Sequence, residues 1–193
     1  MPKKVEAPQV DKVLHTVLKT AVFLRQCASS HRTMEQDENK TLHMREAIRL
    51  SVQNVESGKG GPFGCVVVKD GKIISRGANE VTLTNDPTAH AEVVAIRKAC
   101  KELGSFQLGN CEIYCSCEPC PMCLGAIYWA RPKAIFYANT KTDAAAIDFD
   151  DAFIYAEIER PIGERKLFTQ QMMREEALVA FEKWKTSPLK TDY

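Results

Sequence analysis

The chain has 193 residues, 45% of them apolar, and a net charge of +1; that length is about one domain by the usual scale of roughly 100 to 200 residues. Near-zero charge without a long block of one sign argues against a protein that grips a phosphate backbone, so a nucleic-acid partner is not expected and a small or neutral ligand is. No apolar run approaches the ~20 residues of a membrane-spanning helix, and the N-terminus lacks the charged start, apolar centre and small-residue cleavage site of a secretory signal, so a cytoplasmic protein without membrane contact is expected.

Residues 1–40 are expected to be an extension. "VDKVLHTVLKTAVFLRQC" spaces Val10, Val13, Leu14, Val17 and Leu18 as a helix face does, and "SSHRTMEQDENK" behind it reads as a polar linker. Basic residues outnumber acids there, as in a targeting peptide, but Glu6, Asp11 and the scarcity of serine before the linker argue against targeting. The functional domain is expected over 41–193. Within it "MREAIRLSVQNVES" predicts a helix, "GKGGPFG" a loop, and "CVVVKDGKIISRGANE" two strands around an Asp70-Gly71 turn. A helix follows from about Ala89, then a strand at "CEIYCS", a helix from about Pro121 and a strand at "AIFYA". Strands alternating with helices behind an opening hairpin imply an α/β domain, a mixed sheet with parallel strands between helical layers.

The eight cysteines crowd towards 115–123, where thiols two or three residues apart suit a metal better than long-range crosslinks, and they imply a reducing compartment. Catalytic zinc takes three protein ligands, preferring Cys thiolate and His nitrogen, and keeps a fourth position for water. His90, Cys120 and Cys123 supply that set. The Cys120-Pro-Met-Cys123 spacing lets one turn at a helix start aim both sulfurs at one ion, where the helix dipole favours negative charge. Pro121 suits the first helical turn, where its missing N–H costs nothing, and Asp86 or Thr88 is placed to cap the helix near His90. Glu92 follows His90 by two residues, about 200° around an ideal helix, so both can serve one ion only if it lies off the helix end. Neutral His and two thiolates balance the charge of Zn2+, and Glu92 is left to take protons from an acidified water and return them.

Each part alone is ambiguous. C-x-x-C also builds redox turns and structural zinc sites, for which Cys115 or Cys117 is a candidate fourth ligand, and a lone His is more often a core residue. Together, H-A-E at 90–92 and P-C-P-M-C at 119–123 demand ligand, base and thiols in order, the pattern of zinc deaminases.

At these residues the chain resembles the cytidine deaminase-like superfamily of zinc hydrolases, and within it the bacterial-type guanine deaminases. The closer likeness rests on "GGPFG" at 60–64, "NDPTAHAE" at 85–92, "SCEPCPMCLGAIYWARPKA" at 116–134, "FDDAFIY" at 149–155 and Tyr193, over roughly Met44 to Tyr193. The resemblance implies a three-layer α/β/α fold around a mixed five-stranded sheet, one Zn2+ per chain, a domain-swapped homodimer, and hydrolysis of the purine guanine to xanthine and ammonia. It further implies that Asn79 meets the purine edge, and that Asp151 accepts from a ring N–H or the leaving amino group. An amide reads a carbonyl and a ring nitrogen together, whereas a carboxylate accepts only from N–H. By residue type alone Asn79 is equally a turn residue and Asp151 a helix N-cap. Phe63 and Trp129 stack on or wall the base, or else belong to the core. Backbone N–H groups near Ala91 and Cys120 are assigned to the reaction intermediate, and Tyr193 to the pocket of the swapped subunit. The rival substrates are guanosine, which would need room for ribose beside Tyr193, a tRNA adenosine, which would need a basic surface, and cytosine. The alternative from another class is a non-catalytic zinc scaffold, against which Glu92 speaks.

Overall fold

The computed structural model describes residues 36–149 and 151–192. By its contacts the chain divides into units 1–42 and 43–193; the amphipathic stretch expected between Val10 and Cys27 lies outside the described residues. A helix, α1, is described over 36–56, so the expected polar linker ends in helix. Its last residues are good enough helix formers, and the turn is tied by Thr41 Oγ1 donating to the Asp37 carbonyl at 2.9 Å and by a Lys40–Asp37 ion pair at 3.6 Å.

The second unit is built on a sheet. Asp70 and Gly71 both have positive φ, 49° and 74°, as a two-residue hairpin requires, and join β1 (Gly64–Lys69) to β2 (Lys72–Ala78) in antiparallel register. After β2 come α2 (Val81–Thr84) and α3 (Ala91–Leu103), then β3 (Cys111–Cys117), α4 (Pro121–Ala130) and β4 (Ala134–Asn139). β3 lies antiparallel to β1 and parallel to β4, giving the order β2-β1-β3-β4. The parallel step needs a crossover, which α4 supplies.

β1 is buried on both faces, so its apolar run need not alternate. Val66 and Val68 pack with Tyr114 and with Ala47 of α1, while Cys65 and Val67 pack with Ala91, Ala95 and Ala99 of α3 and Ile127 of α4. The result is helix, sheet, helix, the expected three layers. One glycine sets how closely the layers meet: a Cβ on Gly77 of β2 would strike the Ala91 carbonyl oxygen and stand 2.7 Å from Ala95 N. The first turn of α3 therefore rests directly on the sheet.

Four strands, not five, form the sheet among the described residues. After β4 a reciprocal cap between Thr140 and Asp143 commits the chain to α5 (Lys141–Ala145). The segments beyond it are α6 (Ala152–Glu159), a 3-10 turn (Ile162–Glu164) and α7 (Arg174–Thr186), with no further strand described.

An ion-pair cluster ties α1 to the sheet. Glu46 accepts from Arg49 Nε at 2.7 Å and Nη2 at 3.0 Å, and from Arg76 Nε of β2 at 2.7 Å. The Arg49 hydrogen bonds first, and Arg76 after burial's opposing effect, lower its carboxyl from 4.5 to about 2. A depressed carboxylate stabilises the fold above its ordinary pKa and loses that contribution as pH falls through the folded value. Because both arginines are half exposed, the cluster is worth about 1 kcal/mol. Glu46→Gln is expected to lower the urea-unfolding free energy by about that much at neutral pH, and progressively less as pH falls from 4.5 towards 2. Equal losses across that range would assign Glu46 a packing role instead.

Candidate active site

The sequence places a ligand-type residue at the entrance of each of two helices. His90 is the N-cap residue of α3 and Cys120 that of α4, both with extended backbone, and neither side chain caps its own helix. Asp86 and Thr88, the expected caps, are used one turn earlier: Asp86 Oδ1 accepts from Thr88 N at 2.8 Å and from Thr88 Oγ1 at 2.7 Å. This leaves His90 as the last non-helical residue, free to turn its ring off the helix end. Pro121 occupies the first turn of α4 as expected.

His90 Nδ1 lies 3.6 Å from Cys120 Sγ and 3.5 Å from Cys123 Sγ. Around a tetrahedral zinc, with Zn–S about 2.3 Å and Zn–N about 2.0–2.1 Å, the sulfur-to-nitrogen edge comes to about 3.6 Å. The trio fits zinc, with Nδ1 as the imidazole donor. Among the described residues it is the one group of such side chains close enough to share an ion. Cys115 and Cys117 do not join it: Cys115 Sγ sits 3.9 Å from Cys65 Sγ in the core, and Cys117 Sγ donates to the Thr140 carbonyl at 3.5 Å. Three ligands without a fourth is the catalytic pattern.

The charges agree. A hydrogen bond from Cys123, then one from His90, bring the Cys120 thiol down to about 4, while the Cys120 sulfur and burial push Cys123 up. Two adjacent thiols cannot both ionise without a cation between them, and a divalent ion removes that conflict. The hydrogen bond to Cys120 is the chief influence raising the His90 imidazole above its usual range.

Glu92 stands in the first turn of α3 and is 8% exposed; burial, more than any other influence, raises its carboxyl. It lines a cavity of about 410 Å³ together with His90, Cys120, Phe63, Asn79 and Asp151, a volume within the roughly 300–1,000 Å³ of small-molecule sites. Asn79 holds a local turn, its Oδ1 accepting from Val81 N at 3.3 Å, and it also lines the cavity. Asp151 holds the N-cap position of α6 and also faces the cavity. The side chain of Ala91 is packed in the core. Trp129 is not brought to this cavity. It lies, 64% exposed, in a separate apolar groove with Phe106 and Trp184. Tyr193 lies outside the described residues.

The cavity also takes in residues outside the candidate set, among them Phe149, Glu118 and Lys141. Phe149 meets Phe63 edge-on at 4.9 Å and 87°, extending the aromatic wall. Glu118 Oε2 accepts from the Lys141 backbone N–H at 3.1 Å, closing the rim beyond β3 and β4. Phe149 and Glu118 fall inside the "FDDAFIY" and "SCEPC" motifs, and Lys141 follows the carboxyl end of a parallel strand, where such sheets place their sites.

Residues 37–139 match the zinc-binding region of the cytidine and deoxycytidylate deaminases. The chain belongs to that family. The deaminase is 56% identical to guanine deaminase of Bacillus subtilis (strain 168) over 155 residues, 80% of this chain and 99% of that one. It is 39% identical to a tRNA-specific adenosine deaminase of Aquifex aeolicus over 109 residues, 56% of this chain and 72% of the relative. The X-ray structure of the Bacillus subtilis guanine deaminase superposes with a TM-score of 0.77, covering 79% of this chain and 98% of that one. A guanine deaminase structure from Nitrosomonas europaea, 33% identical, gives 0.54 over 56% of this chain and 63% of its own. The deaminase thus has a zinc-binding catalytic domain of cytidine deaminase-like α/β fold.

Proposed function

We propose that this deaminase hydrolyses guanine to xanthine and ammonia. The observation that carries the reading is that Asn79, Asp151 and Glu92 line one cavity with His90 and Cys120 of the His90–Cys120–Cys123 group. The likeness to the Bacillus subtilis guanine deaminase supports it, since it runs over 155 residues against 109 for the Aquifex tRNA deaminase.

His90, Cys120 and Cys123 would hold the zinc, which would supply a Lewis acid able to make a water nucleophilic near neutral pH. Glu92 takes a proton from that water, and its burial keeps the carboxyl basic enough to hold it. It gives that proton to a ring nitrogen as the water oxygen bonds to the carbon bearing the amino group, then passes the added hydroxyl's proton to the amine, whose C–N bond breaks to release ammonia. With its Oδ1 held by Val81, Asn79 turns its amide N–H to an acceptor on the purine edge. Asp151 accepts from a ring N–H or the amino group, and Phe63 walls the base.

A second copy of the chain belongs to this reading. α6 and α7 have no buried residue, and Phe153, Phe168 and Phe181 are 55%, 85% and 72% exposed. Apolar surface of that extent needs cover, and a homodimer that exchanges C-terminal segments would provide it and carry Tyr193 to the other copy's cavity. The described cysteines are free thiols, which suits the cytoplasm.

Ammonia release from guanine, guanosine, adenine and cytosine tests the reading. Guanine should be turned over far faster than the others; a preference for guanosine, or activity confined to adenosine in tRNA, would replace it. Asp151→Ala is expected to lower kcat/KM for guanine roughly 10- to 100-fold with zinc content unchanged, the loss expected for a hydrogen bond to a charged group. An unchanged kcat/KM would take Asp151 out of substrate recognition.

A further inference from the structure

Asn54, near the C-terminal end of α1, is 6% exposed and does not itself line the cavity. Its amide nitrogen lies 2.8 Å from the Gly61 carbonyl oxygen and 2.9 Å from that of Asn79. Two further bonds join the same segments: Phe63 N donates to Gly61 O at 2.8 Å, and Asn79 N donates to Phe63 O at 3.1 Å. A closed circuit therefore runs from Asn54 through Gly61 and Phe63 to Asn79 and back. Gly60 makes it compact, because a Cβ there would strike the Asn79 carbonyl oxygen and stand 3.0 Å from Asn54 Nδ2.

The circuit holds Asn79 at every polar point but one. Its N–H goes to Phe63, its carbonyl receives Asn54, and its Oδ1 receives Val81 N. What remains is the side-chain N–H assigned to the purine. From this we propose that Asn54 is a positioning residue for substrate: by giving both amide hydrogens to the two carbonyls, it fixes Asn79 and Phe63 relative to one another and so sets recognition of the base. The proposal rests on the reading in which Asn79 and Phe63 contact a purine. Asn is suited to the task because one planar NH2 carries two donors; Asp has the same shape and none, and would set lone pairs against both carbonyls.

The test is steady-state kinetics on guanine with the full-length protein, measured alongside zinc content. Asn54→Asp is expected to raise KM at least ~10-fold, the scale of a lost buried hydrogen bond, with kcat changed less than KM and zinc content as in the parent. Asn54→Ser, which keeps one donor, should fall between. In an Asn79→Ala background Asn54→Asp should add little, because the residue it positions is gone. An unchanged KM in Asn54→Asp, or its full effect persisting on top of Asn79→Ala, overturns the proposal. Loss of zinc or of cooperative unfolding in both Asn54 variants makes the residue a structural one and also overturns it. If Asn79→Ala itself leaves KM for guanine unchanged, the purine-reading role of Asn79 is what fails, and the proposal falls with it.

Discussion

Glu92→Gln is expected to retain zinc and fold while losing at least ~10²-fold in kcat, the lower end of what a general acid/base supplies. Gln matches Glu in shape, and the variant changes neither His90, Cys120 nor Cys123, the group whose spacing fits the ion. What it removes is a site that can accept a proton and give it back. The surroundings of Glu92 serve that function: it is buried beside the thiols, and burial raises its carboxyl, which strengthens it as a base when charged. A buried carboxylate also costs desolvation energy that a neutral amide costs less of, so Tm should not fall. Zinc analysis, Tm and single-substrate kinetics on one preparation decide the point. Turnover within a few-fold of the parent would take Glu92 out of the proton path, whereas loss of zinc would make it part of the metal site.

How much of this could be read from the residues depended on how local the physics was. The Asp70-Gly71 hairpin demands positive φ at two adjacent positions, and the chain supplies the residue types that tolerate it. The metal group was equally legible, because its members sit at helix entrances whose geometry is set by neighbours in sequence, Pro121 above all. The cap before α3 departs from the expectation for a local reason too: Asp86 has a nearer donor in Thr88 and uses it.

Other features depended on tertiary position. α4 is apolar around most of its circumference, so composition does not say which side faces the site. Its buried residues Cys123, Ile127 and Ala130 define one face, and Trp129, six positions after Cys123, points about 120° away from it. The absence of a fifth strand among the described residues and the helical end of the polar linker reflect caps and pairings that periodicity does not reveal. Asn54 is the extreme case. Its two partners lie 7 and 25 residues away, and nothing in "SVQNVES" marks it off from a surface asparagine.

Removing both thiols is expected to have the largest effect. The parent should carry one zinc per chain, and Cys120→Ala with Cys123→Ala should carry none and release no ammonia from guanine. A single imidazole cannot replace a set of one nitrogen and two thiolates, whose charge balances the ion and whose edges match its tetrahedron. The double variant also ends the conflict in which one thiol ionises near 4 while its neighbour is pushed up, so its fold should survive better than chelation of the parent would suggest. Metal that stabilises the native state is lost on chelation and its binding free energy with it; the variant, lacking paired thiols, has less to lose. Comparing Tm of the variant with that of the chelated parent, and zinc content of both, separates the two effects. Cys117→Ala should keep its zinc, because that thiol is turned to the Thr140 carbonyl. Retention of zinc in the double variant, or two zinc ions in the parent, would mean that Cys111, Cys115 or Cys117 binds metal and that the trio is not the catalytic set.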